Sequence, residues 1–287
     1  MFPSNRSTQD TYLKLFLRLN GLFSILCIVL IFLFVLKESL IAIAGQNTSF
    51  FFDDSWFPLE GKFNMLPMVV GSLLITLGSI ILAFPIGLFA ALFAMFYIPK
   101  SLSKYFLKIV ELYTGIPSVI FGFWGLMNLV PLINSYHPPG QSLLTGILIL
   151  TIMIFPIITL NLTSAIELSS KNYFKISNSL GLSKSTYIWK VLLPNLKGQM
   201  ISASVLSIGR AIGETMAVLM VCGNIVKVPS SVFDPVRTLT ANIALEMAYA
   251  MDSHRSALFL SGFVLLVVIA FLYSVSNYFQ KRYSWKS

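Results

Sequence analysis

Residues 112–166, LYTGIPSVIFGFWGLMNLVPLINSYHPPGQSLLTGILILTIMIFPIITLNLTSAI, contain no Asp, Glu, Lys or Arg. A bilayer core about 30 Å thick takes about 20 apolar residues at about 1.5 Å of rise each. The run is therefore long enough for two crossings. The turn-forming segment Asn134-Ser-Tyr-His-Pro-Pro-Gly-Gln-Ser142 divides it, giving one span to about Ile133 and another from about Leu143. The whole chain has the same character: 56% of its 287 residues are hydrophobic and 11% charged. Ordinary soluble domains run at about 45–50% and about 25%. That polar surface is too small to clothe a water-soluble fold, and the reading is an all-α polytopic membrane protein.

Outward from this stretch, other long, charge-poor runs mark further spans. Leu19–Leu36 lies between Arg18 and Lys37. No small-x-small cleavage site follows it cleanly and its apolar region is long, so it is expected to stay rather than leave as a signal peptide. Phe63–Pro99 reads as an entry turn at Pro67 and then one span kinked at Pro85. Gly198–Val226 carries only Arg210 and Glu214, and Ser256–Gln280 carries no charge. Six transmembrane helices result. Most of the 20 Lys and Arg residues fall before the first span, between the second and third, between the fourth and fifth, and after the sixth. The positive-inside rule then puts both termini in the cytoplasm. Residues 1–62 form an N-terminal span and external loop, and 63–287 a transmembrane domain. Sequons at Asn5, Asn47 and Asn161 are read as chance.

Several function classes are excluded. The net charge of +9 could suggest nucleic acid, but no basic block flanks a polar helix, and the excess follows the loops. Cys27 and Cys222 sit in apolar runs, and His137 and His254 stand isolated, so no metal site, disulfide framework or catalytic set emerges. An intramembrane enzyme would need a nucleophile and base at depth, whereas both histidines fall in expected external loops. No cofactor is implied.

Polar chemistry gathers in two places. In the cytoplasmic segment 167–197, two short helices flank Gly181, which suits a C-cap with positive φ, while Ser183 suits the N-cap of the second. Tyr187, Ile188, Val191 and Leu192 make an apolar stripe, for lipid or for the groove of a cytoplasmic partner. Gly181-Leu-Ser-Lys-Ser-Thr186 only faintly imitates a phosphate-binding loop, with no preceding strand, and binds no ATP. In the fifth span, Arg210 and Glu214 stand four residues apart, so one helix is expected to carry both on one face beside Ala203, Ser207 and Ala211. Either they neutralise each other, or Arg210 contacts an anionic solute while Glu214 holds or gates it. Gly209 and Gly213 form a small-xxx-small motif suited to helix packing.

These residues also carry a resemblance. Gly181, followed by Val191-Leu-Leu-Pro194, resembles the conserved cytoplasmic loop of bacterial ABC-importer permeases, although Lys175-Ile-Ser177 stands where that loop has Glu-Ala-Ala. Gly209-Arg-Ala-Ile-Gly-Glu-Thr-Met-Ala217 resembles the hallmark of the phosphate-specific transport permeases, and Glu111-Leu-Tyr-Thr-Gly-Ile-Pro-Ser118 another of their blocks. Trp56–Gly71 and Ala241-Asn-Ile-Ala-Leu-Glu-Met247 resemble the C-type rather than the A-type subunit. The resemblance implies a type I ABC-importer permease fold in the bacterial inner membrane. It implies half of a phosphate pathway, paired with an A-type permease, above two ATP-binding subunits and below a periplasmic phosphate-binding protein. Gly181, Val191, Leu193 and Pro194 are then expected in the segment that couples to an ATPase, and Arg210, Glu214 and Ser207 along the phosphate path. Gly115-Ile-Pro-Ser118 either lines that path or breaks the third helix, the break being favoured. A permease for another oxyanion, or a secondary anion transporter, is the competing expectation; no inverted repeat of the Arg/Glu-bearing span is found in the first half.

Overall fold

The computed structural model describes residues 6–45 and 55–284. The sequons at Asn5 and Asn47 lie outside them, as do Asp53, Asp54 and Lys286. Helix α1 (Arg6–Gly45) leaves its apolar side chains exposed over most of its length, as a lipid-facing helix does. It leans on the last helix, α12 (Asp252–Ser284), through an edge-on Phe34–Phe259 contact with ring centroids 5.5 Å apart. A small antiparallel hairpin follows, β1 (Trp56–Phe57) with β2 (Lys62–Phe63), closed by Gly61 at a φ of 71°.

Helix α2 (Leu66–Leu92) contains Pro85 and passes into a π-helical turn, Phe93–Tyr97, before Pro99. It packs along α6 (Leu143–Ser179), the most buried span, whose Ile149, Leu150, Ile154, Ile158, Leu162 and Ile166 are buried. The approach is close: a Cβ on Gly87 would lie 2.7 Å from Ile158 Cγ2. With lipid as solvent there is no hydrophobic gain in bringing two helices together, so small residues and tight van der Waals contact hold them.

Between these two helices run α3 (Lys100–Thr114), α4 (Ser118–Trp124), a π-helical turn at Gly125–Leu129 and α5 (Val130–Asn134). The chain bends by 89° between Lys100–Thr114 and Ser118–Asn134. Gly115-Ile-Pro-Ser118 thus breaks the helix. Pro117 lacks an N–H to continue the ladder, and its carbonyl starts the next helix by accepting from Ile120 N at 3.0 Å.

After α6 come α7 (Lys184–Thr186), a π-helical turn at Tyr187–Leu192, α8 (Leu193–Asn195), α9 (Lys197–Ile212), α10 (Met216–Val221), α11 (Leu239–Glu246) and α12. Among the described residues, four helices are long and apolar enough to cross a bilayer: Asp10–Ala44, Leu66–Phe96, Leu143–Ser169 and Asp252–Val275. The bent pair makes a fifth if it counts as one span. The expected continuous fifth span, Gly198–Val226, is instead two helices. The 16-residue α9 stops at Gly213, and α10 restarts after Thr215.

Candidate functional site

The break between α9 and α10 changes the geometry expected for its two charges. Arg210 lies in the last turn of α9 and is exposed, whereas Ala203, Ser207 and Ala211 are buried. Ser207 Oγ donates to Ala203 O at 2.9 Å, which returns that hydroxyl to its own helix. Glu214 follows the break, so it shares no helix face with Arg210, and the two form no ion pair among the described residues. Its Oε1 accepts from Ala217 N at 3.2 Å and caps α10. Each charge therefore sits at the helix end that favours its sign, a cation at a C-terminus and a carboxylate at an N-terminus. Arg210 keeps its guanidinium free of Glu214 and able to meet an anion with paired N–H groups. The other face of α9 lines an apolar groove of about 470 Å³ with Phe84 and Leu272, and Arg210 is not among its walls.

In the cytoplasmic segment, Gly181 has a φ of +65° and Leu182 N donates back to Ser177 O at 3.1 Å, closing α6. Ser183 Oγ accepts from Thr186 N at 3.2 Å, an N-cap. The side chains of Lys175 and Ile176 lie outside the described ones. Most of the apolar stripe turns into the chain itself, with Val191 left half-buried. Tyr187, Ile188 and Leu192 are buried in the chain's own core, with the Tyr187 ring 6.0 Å from that of Phe96. The segment folds back on the end of α6 and on the π-helical turn that follows α2, which covers Tyr187, Ile188 and Leu192 from within the chain. Of the expected coupling residues, Gly181 and Pro194 are exposed, Val191 is half-buried and Leu193 is buried. Leu168, Leu180 and Trp189, which the stripe did not include, are large apolar side chains exposed in this segment.

A third polar group was not legible as a unit. Glu246, almost buried at the end of α11, accepts from Arg237 Nη1 at 2.6 Å, His254 Nε2 at 2.8 Å and Trp56 Nε1 at 2.8 Å. Since an ionised carboxylate only accepts, His254 Nε2 carries the proton in this bond. Arg237 also donates through Nε to Asn224 O and through Nη1 to Asn242 Oδ1. The phenol of Tyr249, nearby, is pushed above its ordinary value by desolvation and then by the charge of Glu246. His254 is thus not isolated, and neither is His137, which stacks on Phe233 with centroids 4.3 Å apart. The available signal was Asn242 and Glu246, four apart in the apolar Ala241–Met247 stretch. Their partners lie too far along the chain for spacing to reveal. Among the described residues no three His, Cys, Asp or Glu side chains come together as metal ligands.

The family model for the "binding-protein-dependent transport system inner membrane component" matches residues 83–285, which takes in the bent pair, α6, the cytoplasmic segment, the Arg210 break and Glu246. The chain belongs to this family of permeases. As such a permease it is a multi-span inner-membrane component of an ABC transporter, is not itself catalytic, and works with an ATPase and a binding protein. Similar proteins include the phosphate transport system permease PstC of Xylella fastidiosa (strain Temecula1), 31% identical over 93% of this chain and 90% of its own length. The PstC of Mesorhizobium japonicum is 30% identical over 98% and 95%. The probable ABC transporter permease YqgH of Bacillus subtilis is 36% identical over 79% and 76%. The resemblance to phosphate-specific permeases thus holds over nearly the whole permease chain. Among solved structures, the inward-facing MetNI methionine ABC transporter matches with a TM-score of 0.63 and 16% identity, over 76% of this chain and 95% of that one. At that identity the likeness is one of fold alone.

Proposed function

We propose that this permease is the C-type half of an ATP-driven phosphate importer. It would pair with an A-type permease, sit on two ATP-binding subunits, and receive phosphate from a periplasmic binding protein. The observation that carries the reading is Arg210, an exposed guanidinium at the end of α9, beside a helix break and unpaired with Glu214. A cation without a fixed carboxylate partner can engage an oxyanion transiently, which suits a permease that must release what it admits. Arg210 and Glu214 are the path residues, and the inward-turned Ser207 supports the helix behind them. The PstC relatives, alike along nearly the full length, favour phosphate over another oxyanion.

In this reading the chain crosses the bilayer six times with both termini in the cytoplasm. The bent pair α3–α5 counts as one crossing and the broken pair α9–α10 as another, consistent with the basic loops. Residues 1–62 add a span and an external loop to the permease domain at 63–287. The Gly181–Pro194 segment meets the ATPase: Gly181, Val191 and Pro194 offer surface, and Leu193 anchors the segment in the core. ATP-driven rocking of the two permeases then opens the path alternately to either side.

Co-purification from the native membrane tests the assembly, with an ATPase and a second permease expected to accompany the chain. Vesicles holding the complex should take up inorganic phosphate with ATP and the binding protein. Uptake driven by a proton gradient without the ATPase would overturn the importer reading, and preferred uptake of molybdate or sulfate would reassign the substrate.

A further inference from the structure

Glu246 joins parts of the chain that are remote in sequence. Trp56 reaches it from the outer hairpin, Arg237 from the loop before α11 and His254 from the first turns of α12. The Trp56–Gly71 and Ala241–Met247 stretches, read separately above, therefore meet at Trp56 Nε1 and Glu246 Oε2. Helix α11 has only 8 residues. A helix that short is marginal by itself, so its position depends on what holds its ends. Glu246 holds the C-terminal end. At the other end Leu239 N donates to Ser72 Oγ at 3.0 Å, Thr238 Oγ1 caps Ala241 N at 3.2 Å, and Thr240 Oγ1 donates to Glu214 O at 3.0 Å. A continuous series of direct contacts thus runs from the hairpin through Glu246 and α11 to the residue that follows the Arg210 break.

We propose that Glu246 is a positioning residue for anion passage: it fixes α11 so that Thr240 holds the Glu214 carbonyl, and with it the α9–α10 break, in register with the outer hairpin. The proposal rests on the reading of Arg210 and Glu214 as path residues. In this role Glu246 acts on Trp56, Arg237 and His254 rather than on the solute. It acts through packing and hydrogen bonds, and a contiguous contact series needs a measured coupling before it counts as energetic linkage.

The test uses the complete transporter in vesicles, with ATP, the binding protein and radiolabelled inorganic phosphate. Thr240→Val removes the hydroxyl and Thr240→Ser retains it. Thr240→Val is expected to lower the maximal uptake rate by about fivefold or more, within the usual range of site-to-site coupling, with an unchanged KM for the loaded binding protein. Thr240→Ser should restore the rate. Glu246→Gln should give the same loss, and the double variant should be no worse than either single one, because both substitutions cut one series of contacts. A wild-type rate in Thr240→Val, or losses that multiply in the double variant, would overturn the proposal. If Glu246→Gln does not assemble, the Thr240 pair decides alone. Full uptake by Arg210→Gln would instead overturn the path reading, and this proposal with it.

Discussion

Two Arg/Glu combinations in this permease behave in opposite ways. Arg210 and Glu214, at helical spacing, form no ion pair; Arg237 and Glu246, nine residues apart, meet at 2.6 Å in a nearly dry site. The first combination is separated by a helix end. Gly213 stops α9, and Glu214 spends its carboxylate on the cap of α10. The second is assembled by a loop that turns back over a short helix, with Trp56 and His254 donating to the other carboxylate oxygen. Spacing along the chain proposes an ion pair; the path of the backbone disposes of it. In the reading proposed above the two part in function: Arg210, with no ion pair among the described residues, is left to meet a solute, and the Arg237–Glu246 pair holds its surroundings still.

The largest expected effect separates the two arginines. Arg210→Gln should abolish phosphate uptake while the complex assembles and its thermal stability moves by no more than about 0.5 kcal/mol, as for an exposed residue. Uptake in vesicles beside a melting curve checks both halves, and a wild-type rate would make Arg210 structural. Next, Glu246→Ala should destabilise the chain by about 3–5 kcal/mol, because it strands Arg237 without its carboxylate in a site that is largely closed to water. A drop in melting temperature and in recovered complex reports it; an unchanged melt would remove the contrast.

A sharper comparison comes from double-mutant cycles on stability. Arg237/Glu246 should show coupling toward the upper part of the usual range of about 0.5–3 kcal/mol, and Arg210/Glu214 close to none. Equal coupling in the two cycles would show that Arg210 does find Glu214. The smallest effect belongs to the loop that carries Arg237. Asp234, half-buried there, is held below the usual carboxylate range, first by the Ser230 hydroxyl and then by the amides of Ser230 and Ser231. Its ordering of that turn is present above the ordinary carboxylate value and is lost as pH falls through the lowered one. Protection of the Ser230 and Ser231 amides from hydrogen exchange should follow that loss in the native chain. In Asp234→Asn it should be weak and independent of pH.

Much of this was open to reading in the chain. The span-length runs, the turn at 134–142, the break at Gly115–Ser118 and both caps around Gly181 and Ser183 are local facts, set by a few neighbouring residues and by the bilayer's intolerance of unpaired backbone. The Arg210 block was equally visible, as was its likeness to known permeases. Less visible was the break at Gly213. Its residues are compatible with a continued helix, and the chain leaves it because Glu214 and Thr240 satisfy the backbone groups that the break exposes. The apolar stripe at 187–192 likewise announced that it would be buried, without saying against what.

The sequence by itself determined that this is a helical membrane protein, where its apolar runs lie and which permease family it belongs to, since hydropathy, caps and motifs act over one span or less. Only the tertiary structure decided which charges are partners. Trp56, Arg237, Glu246 and His254 meet through a hairpin, a loop and two helices, and that meeting depends on how the backbone folds back rather than on any local preference.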